Sequence, residues 1–181
     1  MENSNRNTVR PVVRMARIAL FAAWMGVFSQ IQIPLPGLVP LSLASFVTYL
    51  SVEILDWKEA SVSHVIYILL GAVGVPVFSG FGTLSRLVGP TGGYIVGYAA
   101  CAFVGGLILS KTGKRIGWSI TAHIVGTVVL YVIGTIWYVV VTGSSAAAAL
   151  TACVFPFLPG DAIKIVLAVV VGNRLRKVLP R

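Results

Sequence analysis

The stretch "FPFLPGDAIKIVLAVVVG", Phe155–Gly172, has the length and composition of a membrane helix but carries two charges near its start. Asp161 and Lys164 stand three residues apart, just after Pro159 and Gly160. The run is long enough to cross a membrane, yet one charged residue at the centre of such a helix costs about 2.5–3.5 kcal/mol. Two charges at that depth indicate a functional site.

The rest of the chain has the composition of an integral membrane protein. Of its 181 residues 57% are hydrophobic and 10% are charged, and the mean hydropathy is +0.92. A helix needs about 20 apolar residues to cross the hydrocarbon. The sequence therefore predicts a single membrane domain, residues 1–181, that is an all-α bundle of six transmembrane helices with Gly/Pro-rich outer loops and a broken last helix. The predicted segments are 14–33, 37–55, 60–78, 93–110, 117–141 and 155–172.

The basic residues indicate the orientation of this bundle. The net charge is +9, and if there are six spans, twelve of the fourteen Lys and Arg residues fall on one side. Only Arg86 falls in an outer loop, and Lys164 lies within the membrane. By the positive-inside rule, both termini are expected in the cytoplasm, with the protein in the cell membrane. Because short basic flanks of spans account for the charge, nucleic acid is not expected as a partner.

The first apolar run is too long for the core of a cleavable signal peptide, and no clear cleavage site follows it, so it is interpreted as the first membrane helix. Cys101 and Cys153 lack the spacing of metal ligands or of a disulfide framework. His64 and His123 are isolated in the sequence, and no metal site is predicted. The acidic residues Glu53, Asp56 and Glu59 are predicted to form a solvated face of the protein. The alternative is that they contact a cytoplasmic partner.

The candidate binding site lies in the outer half of the bundle. The stretch "GVPVFSGFGTLSRLVGPTGGYIVG", Gly74–Gly97, is too rich in Gly and Pro to form one helix, and such backbone near a membrane lines a cavity or is buried in protein. Counting back from Gly172 places Asp161 slightly outside the midplane, where it is a candidate N-cap for a helix that starts within the membrane.

Asp161 and Lys164 share one helix face and offer an acceptor and a donor side by side. This arrangement suits a ligand with adjacent N–H and C=O groups, such as an amide or urea. The alternative is a self-neutralising ion pair, or a capping Asp with a Lys that reaches toward the surface. Arg86 is a candidate partner for a ligand carboxylate. Alternatively, Arg86 is a solvated loop residue without a role in binding.

Small residues recur at spacings of three and four along the first helix, at Ala16, Ala19, Ala23 and Gly26. Ala19 and Ala23 form a small-xxx-small pair, which permits close approach by another helix. That helix belongs either to a partner or to the same bundle. The pair Gly93 and Gly97 is interpreted as packing within the bundle.

Several stretches closely resemble the BioY family, the biotin-specific substrate-binding S components of energy-coupling factor transporters. They are "GVPVFSG" (74–80), "GPTGGYIVGY" (89–98), "PFLPGDAIK" (156–164), "VPLSL" (39–43) and "LYVIGTIWY" (130–138), which span nearly the whole chain. The resemblance implies a six-helix fold, a biotin site near the outer face, and a complex with a transmembrane coupling subunit and two cytoplasmic ATPases. The chain itself binds no cofactor in this reading, since ATP is used by the partners.

The resemblance also assigns residues. It implies that Asp161 and Lys164 hold the ureido group of biotin, and that Ala19 and Ala23 dock on the coupling subunit. The two Gly-rich motifs and the loop between them add to the substrate-binding set Ser79, Arg86, Thr91, Gly93 and Tyr94. One departure is Ala44, where family members usually have Gln, so a contact is lost or supplied elsewhere.

Two other functions remain open at this stage. One is the same architecture with specificity for a different small vitamin or precursor. The other is an integral-membrane enzyme that uses Asp161 as acid or base. The candidate catalytic groups are one carboxylate and one lysine, and the sequence contains neither a nucleophile elbow nor a phosphate loop. No enzyme activity is therefore expected.

Overall fold

The computed structural model describes residues 2–33 and 39–178, with side chains from residue 11 onward. The described chain is almost entirely helical. Its elements, in order, are α1 (Glu2–Ser29), β1 (Gln32–Ile33), β2 (Leu41–Ser42), α2 (Ala44–Ile54), α3 (Trp57–Ala72), α4 (Leu84–Val88), α5 (Gly92–Thr112), α6 (Ile116–Thr142), α7 (Ala146–Cys153) and α8 (Leu158–Val178).

Helix length and composition show a membrane protein but do not establish six spans. In the described residues three helical segments are long and apolar enough to cross a membrane, Pro11–Ser29, Gly92–Thr112 and Ile116–Thr142. Helices α7 and α8 meet the same test together, although a 50° bend separates them. Helices α2 and α3 have only 11 and 16 residues. The six predicted segments each contain a helix, but two of these helices are shorter than a full span.

In two predicted segments the helix is shorter than the segment, for identifiable reasons. The segment 37–55 becomes helical only at Ala44, because residues 41–42 pair with residues 32–33 as a two-stranded antiparallel sheet. The segment 60–78 ends as a helix at Ala72, since the chain turns at Gly74 with a φ of +101° and reaches Pro76. Residues 34–36, predicted as an outer connection, lie outside the described residues.

The break in the last segment is displaced from its predicted position. The chain leaves the helix between α7 and α8, at residues 154–157, and Pro159 and Gly160 lie inside the first turn of α8. Proline is tolerated there because the first N–H groups of a helix have no partner within it. Asp161 is therefore not the N-cap, and its own N–H donates to the carbonyl of Phe157 at 2.8 Å.

Glycines bring α5 and α6 close together. A Cβ at Gly93 would collide with Trp137, and one at Gly97 would lie 3.2 Å from the Cγ of Leu130. From the other helix, a Cβ at Gly126 would lie 2.9 Å from the Sγ of Cys101. The prediction that Gly93 and Gly97 serve packing within the bundle is confirmed.

A buried charge cluster closes the basic end of the bundle. Glu53 is fully buried, and its carboxylate lies 3.0 Å from the Nε2 of His123 and 3.1 Å from an Nη of Arg176. Lys114, in the loop between α5 and α6, donates to the carbonyls of Glu53 and Leu55, both at 2.7 Å, which satisfies the C-terminal end of α2. Burial, and then the nearby Arg176, lower the pKa of Lys114 to about 8.

These contacts overturn two sequence-based interpretations. The solvated face expected at Glu53 and Glu59 does not form: Glu53 is 0% and Glu59 6% exposed, and Glu59 accepts a hydrogen bond from Arg14 at 2.8 Å. Only Asp56 is exposed. His123 is not isolated, because Glu53 approaches it from another helix, a contact that sequence spacing does not reveal.

The cluster predicts unequal effects of two neighbouring acidic residues on stability. Glu53→Ala leaves the half-buried Arg176 and the buried His123 without their carboxylate and is expected to lower the free energy of unfolding by about 3–5 kcal/mol. Asp56→Ala removes an exposed carboxylate three residues later and is the control, with an expected change within about 0.5 kcal/mol. Thermal unfolding of detergent-purified protein measures both, and equal effects would show that the cluster does not stabilise the fold.

Candidate functional site

The candidate site lies at the opposite end of the bundle, where α8 meets α2, α5 and α6. Asp161 and Lys164 are 5% and 7% exposed, and the Lys164 Nζ lies 3.3 Å from the Asp161 Oδ1. The predicted common face is confirmed. Because α8 begins at Leu158, both side chains project from its first two turns.

Every polar atom of this pair has a protein partner. The Lys164 ammonium donates to the carbonyl of Ser42 at 2.8 Å, to the Oγ of Ser45 at 2.9 Å and to Asp161. The Asp161 Oδ1 also accepts from Ser45 at 2.9 Å, while its Oδ2 accepts from the Tyr131 hydroxyl at 2.7 Å. These bonds offset much of the cost of burying two charges.

Sequence reasoning missed Ser42, Ser45 and Tyr131. They come from the strand before α2, from α2 itself and from α6, and no sequence spacing connects them with α8. Ser42 and Ser45 flank Ala44, which is fully buried. Polar groups are thus supplied on either side of Ala44, the position where the resemblance leads us to expect Gln.

A cavity beside the ion pair provides apolar and aromatic walls. It is lined by Val39, Pro40, Leu41, Ser42, Ser45, Tyr94, Tyr98, Leu130, Tyr131, Phe157, Asp161 and Lys164. A carboxylate that accepts and an ammonium that donates stand at one side of an otherwise largely apolar surface. This combination suits a compact polar group attached to an apolar body.

A second cavity adjoins the first and reaches toward Arg86. Its lining shares five residues with the first cavity and adds Tyr67, Phe78, Ser79, Arg86, Thr91 and Ile95. The free volumes are small, about 20 Å³ for the first cavity and about 30 Å³ for the second, so a ligand larger than water enters only when lining side chains move apart. Together the two cavities place a carboxylate–ammonium pair at one end and a guanidinium at the other.

The predicted site residues divide between these cavities, with one exception. Asp161, Lys164 and Tyr94 line the first, and Tyr94, Ser79, Arg86 and Thr91 line the second. Gly93 lines neither of them, since it faces Trp137 on α6. Tyr94 lines both cavities, and its hydroxyl donates to the carbonyl of Cys153 at 3.3 Å.

The small-residue seam on α1 is a separate surface. Ala16, Ala19 and Ala23 are exposed, whereas Phe21, Ala22 and Met25 on the same helix are buried. Gly26 leaves the seam, because it lies against Val77. The alternative that Ala19 and Ala23 pack inside the bundle is therefore wrong for this chain on its own.

Comparisons with known proteins agree with this architecture. The sequence matches the BioY family over residues 2–181. Similar proteins include a probable biotin transporter of Pyrococcus horikoshii, 36% identical over 88% of this chain and 93% of the relative. The biotin transporter of Thermotoga maritima is 35% identical over 91% of this chain and 96% of its own. A crystal structure of the S-component for biotin from an ECF-type ABC transporter superposes with a TM-score of 0.86, at 25% identity and 93% coverage of both chains.

Proposed function

The chain belongs to the BioY family, and on that premise we propose that it is the biotin-binding S component of an ECF-type importer. It is a membrane transport protein and not an enzyme. The observation that carries the proposal is the buried Asp161–Lys164 pair at the edge of an apolar cavity, with Arg86 at the far side of the adjoining one. Biotin has matching parts: a ureido group, an apolar ring and chain, and a carboxylate.

The proposed pose follows from the chemistry of each end. The ureido N–H groups need an acceptor, which the Asp161 carboxylate supplies, and the ureido C=O needs a donor, which the Lys164 ammonium supplies. Tyr94, Tyr98 and Leu130 cover the ring and chain. Arg86 then binds the carboxylate, with Ser79 and Thr91 beside it. Since Asp161 and Lys164 are already hydrogen-bonded to protein, the ligand exchanges partners with Ser45 and Tyr131 rather than meeting bare charges.

Transport requires partners that this chain does not contain. We propose a transmembrane coupling subunit that packs on the exposed seam of Ala19 and Ala23, together with two cytoplasmic ATPases that bind and hydrolyse ATP. The described residues place Arg14, Lys114 and Arg176 at one end of the bundle and Arg86 at the other. With the positive-inside rule, this favours cytoplasmic termini and a site that opens to the outer side of the cell membrane.

The first test of this function concerns the ion pair. Asp161→Asn and Lys164→Met are each expected to weaken biotin binding roughly 5- to 150-fold, because one side of the urea loses its partner at about 1–3 kcal/mol. Lys177→Met, an exposed lysine at the other end of the bundle, is the control and should bind as the parent does. Isothermal titration on monodisperse protein measures the affinities.

The outcome of that titration also separates the alternatives. Parent-like binding by both variants would mean that the pair only stabilises the fold. If the parent binds dethiobiotin, thiamine, riboflavin or lipoate more tightly than biotin, the proposed architecture stands and the proposed ligand is wrong.

The second test concerns docking. Ala19→Trp with Ala23→Trp adds bulk that a closely packed partner helix cannot accept, while the exposed positions leave the fold of this chain unaffected. We expect parent-like biotin binding but a loss of most co-purification with the coupling subunit and of ATP-driven uptake. The control is Val128→Trp with Val132→Trp, two exposed α6 residues at the same spacing. Uptake at the parent rate in the α1 variant would refute the docking assignment.

The third test concerns orientation. In a background with Cys101 and Cys153 replaced by Ala, Ser85→Cys is expected to react with an impermeant thiol reagent in intact cells, whereas Asp56→Cys is expected to react only after lysis. Both native residues are exposed, so accessibility across the membrane and not burial decides the labelling. The reverse pattern would place the site on the cytoplasmic side.

A further inference from the structure

One outer loop shapes the Arg86 end of the site. The loop contains a tight turn in which Phe78 and Gly82 form an antiparallel bridge, with backbone hydrogen bonds of 3.0 and 2.9 Å in the two directions. Within it, Gly80 and Phe81 both have positive φ values, of +70° and +56°. A positive φ is uncommon for a residue with a side chain such as Phe, so something outside the turn must hold it in place.

The side chain of Gln30, in the turn after α1, supplies that hold. Its Nε2 donates to the carbonyls of Val77 and Phe78, both at 3.1 Å, and its Oε1 accepts from the N–H of Phe81 at 2.8 Å. One amide thus bonds to three successive parts of the loop, including the strained residue. Ser29 adds a hydrogen bond to the carbonyl of Val77. Gln30 lines neither cavity.

The loop in turn fixes the position of Arg86. The Arg86 side chain lies directly over Gly82, close enough that a Cβ there would collide with it. A Cβ at Gly80 would lie 3.4 Å from an Nη of Arg86. Phe78 and Ser79, from the same loop, line the cavity that Arg86 enters. The contacts therefore run from Gln30 through the loop to the guanidinium.

We propose that Gln30 is a positioning residue for ligand binding, which holds loop 77–82 in the conformation that places Arg86 over the ligand carboxylate. The proposal rests on the function proposed above. In this proposal Gln30 affects binding at the carboxylate end of the ligand only. It makes no contact with the ureido group, which Asp161 and Lys164 bind. A residue that only stabilised the fold would weaken both ends equally.

The test compares two ligands and two backgrounds. Gln30→Met keeps the length of the side chain and removes its hydrogen bonds, and we expect roughly tenfold weaker biotin binding, comparable with the loss of one or two hydrogen bonds. For biotinol, in which an alcohol replaces the carboxylate, Gln30→Met should weaken binding by less than about twofold. In an Arg86→Ala background Gln30→Met should have almost no further effect on biotin, because the group that it positions is gone. Val27→Ala, an exposed residue of α1 one turn earlier, is the matched control.

A second measurement does not depend on the ligand. Hydrogen exchange at the amides of residues 77–82 should accelerate in Gln30→Met and not in Val27→Ala. If Gln30→Met is not monodisperse, Ser29→Ala removes one hydrogen bond to the carbonyl of Val77 and should accelerate exchange at residues 77–82 to a smaller extent. Equal losses for biotin and biotinol, additivity with Arg86→Ala, or unchanged exchange would each overturn the role of Gln30. A parent that binds no biotin but shows the exchange difference would refute the function and leave the anchoring of the loop intact.

Discussion

The buried pair of Asp161 and Lys164 is the constraint around which the outer half of the molecule is organised. Two charges in an apolar bundle are stable only when their hydrogen-bonding capacity is met. Meeting it requires the carbonyl of Ser42, the hydroxyl of Ser45 and the hydroxyl of Tyr131. The pair thus holds α2 and α6 against α8, and the same bonds form the polar wall of the cavity. Stability and the proposed ligand recognition therefore depend on one set of contacts.

A second buried carboxylate fixes the other end of the same helices. Glu53, eight residues after Ser45 on α2, contacts Arg176, twelve residues after Lys164 on α8. Gly172 allows the close approach, since a Cβ there would lie 2.5 Å from the Cβ of Glu53. With α2 and α8 bonded at both ends, relative sliding of the two helices breaks charged contacts.

The parts of the molecule that the sequence predicted are those that local signals encode. Hydropathy located a helix in each predicted segment but not the number of spans, and the i, i+3 spacing of Asp161 and Lys164 placed both on one face. Boundaries failed where a tertiary contact competes with hydropathy: residues 41–42 form a strand because residues 32–33 are there to pair with. The N-cap assignment failed because Pro159 looks like a break in sequence but fits the first turn of a helix that starts one residue earlier. Ser45, Tyr131, His123 and Gln30 acquire their partners across 30 or more residues, and no periodicity reports such contacts.

Helix α1 connects two features of the protein that serve different proposed roles. Its exposed seam at Ala19 and Ala23 is the surface proposed for docking, and two turns later, just past its end, Gln30 holds the loop beside Arg86. A helix transmits a rotation or tilt along its length because its backbone hydrogen bonds make it stiff. The end of α1 is bonded to loop 77–82 through Gln30, and residues 32–33 just after it pair with residues 41–42, where the carbonyl of Ser42 accepts from Lys164. Both ends of the proposed site are therefore connected to the helix that carries the proposed docking surface, the Arg86 end through Gln30 and the Lys164 end through Ser42.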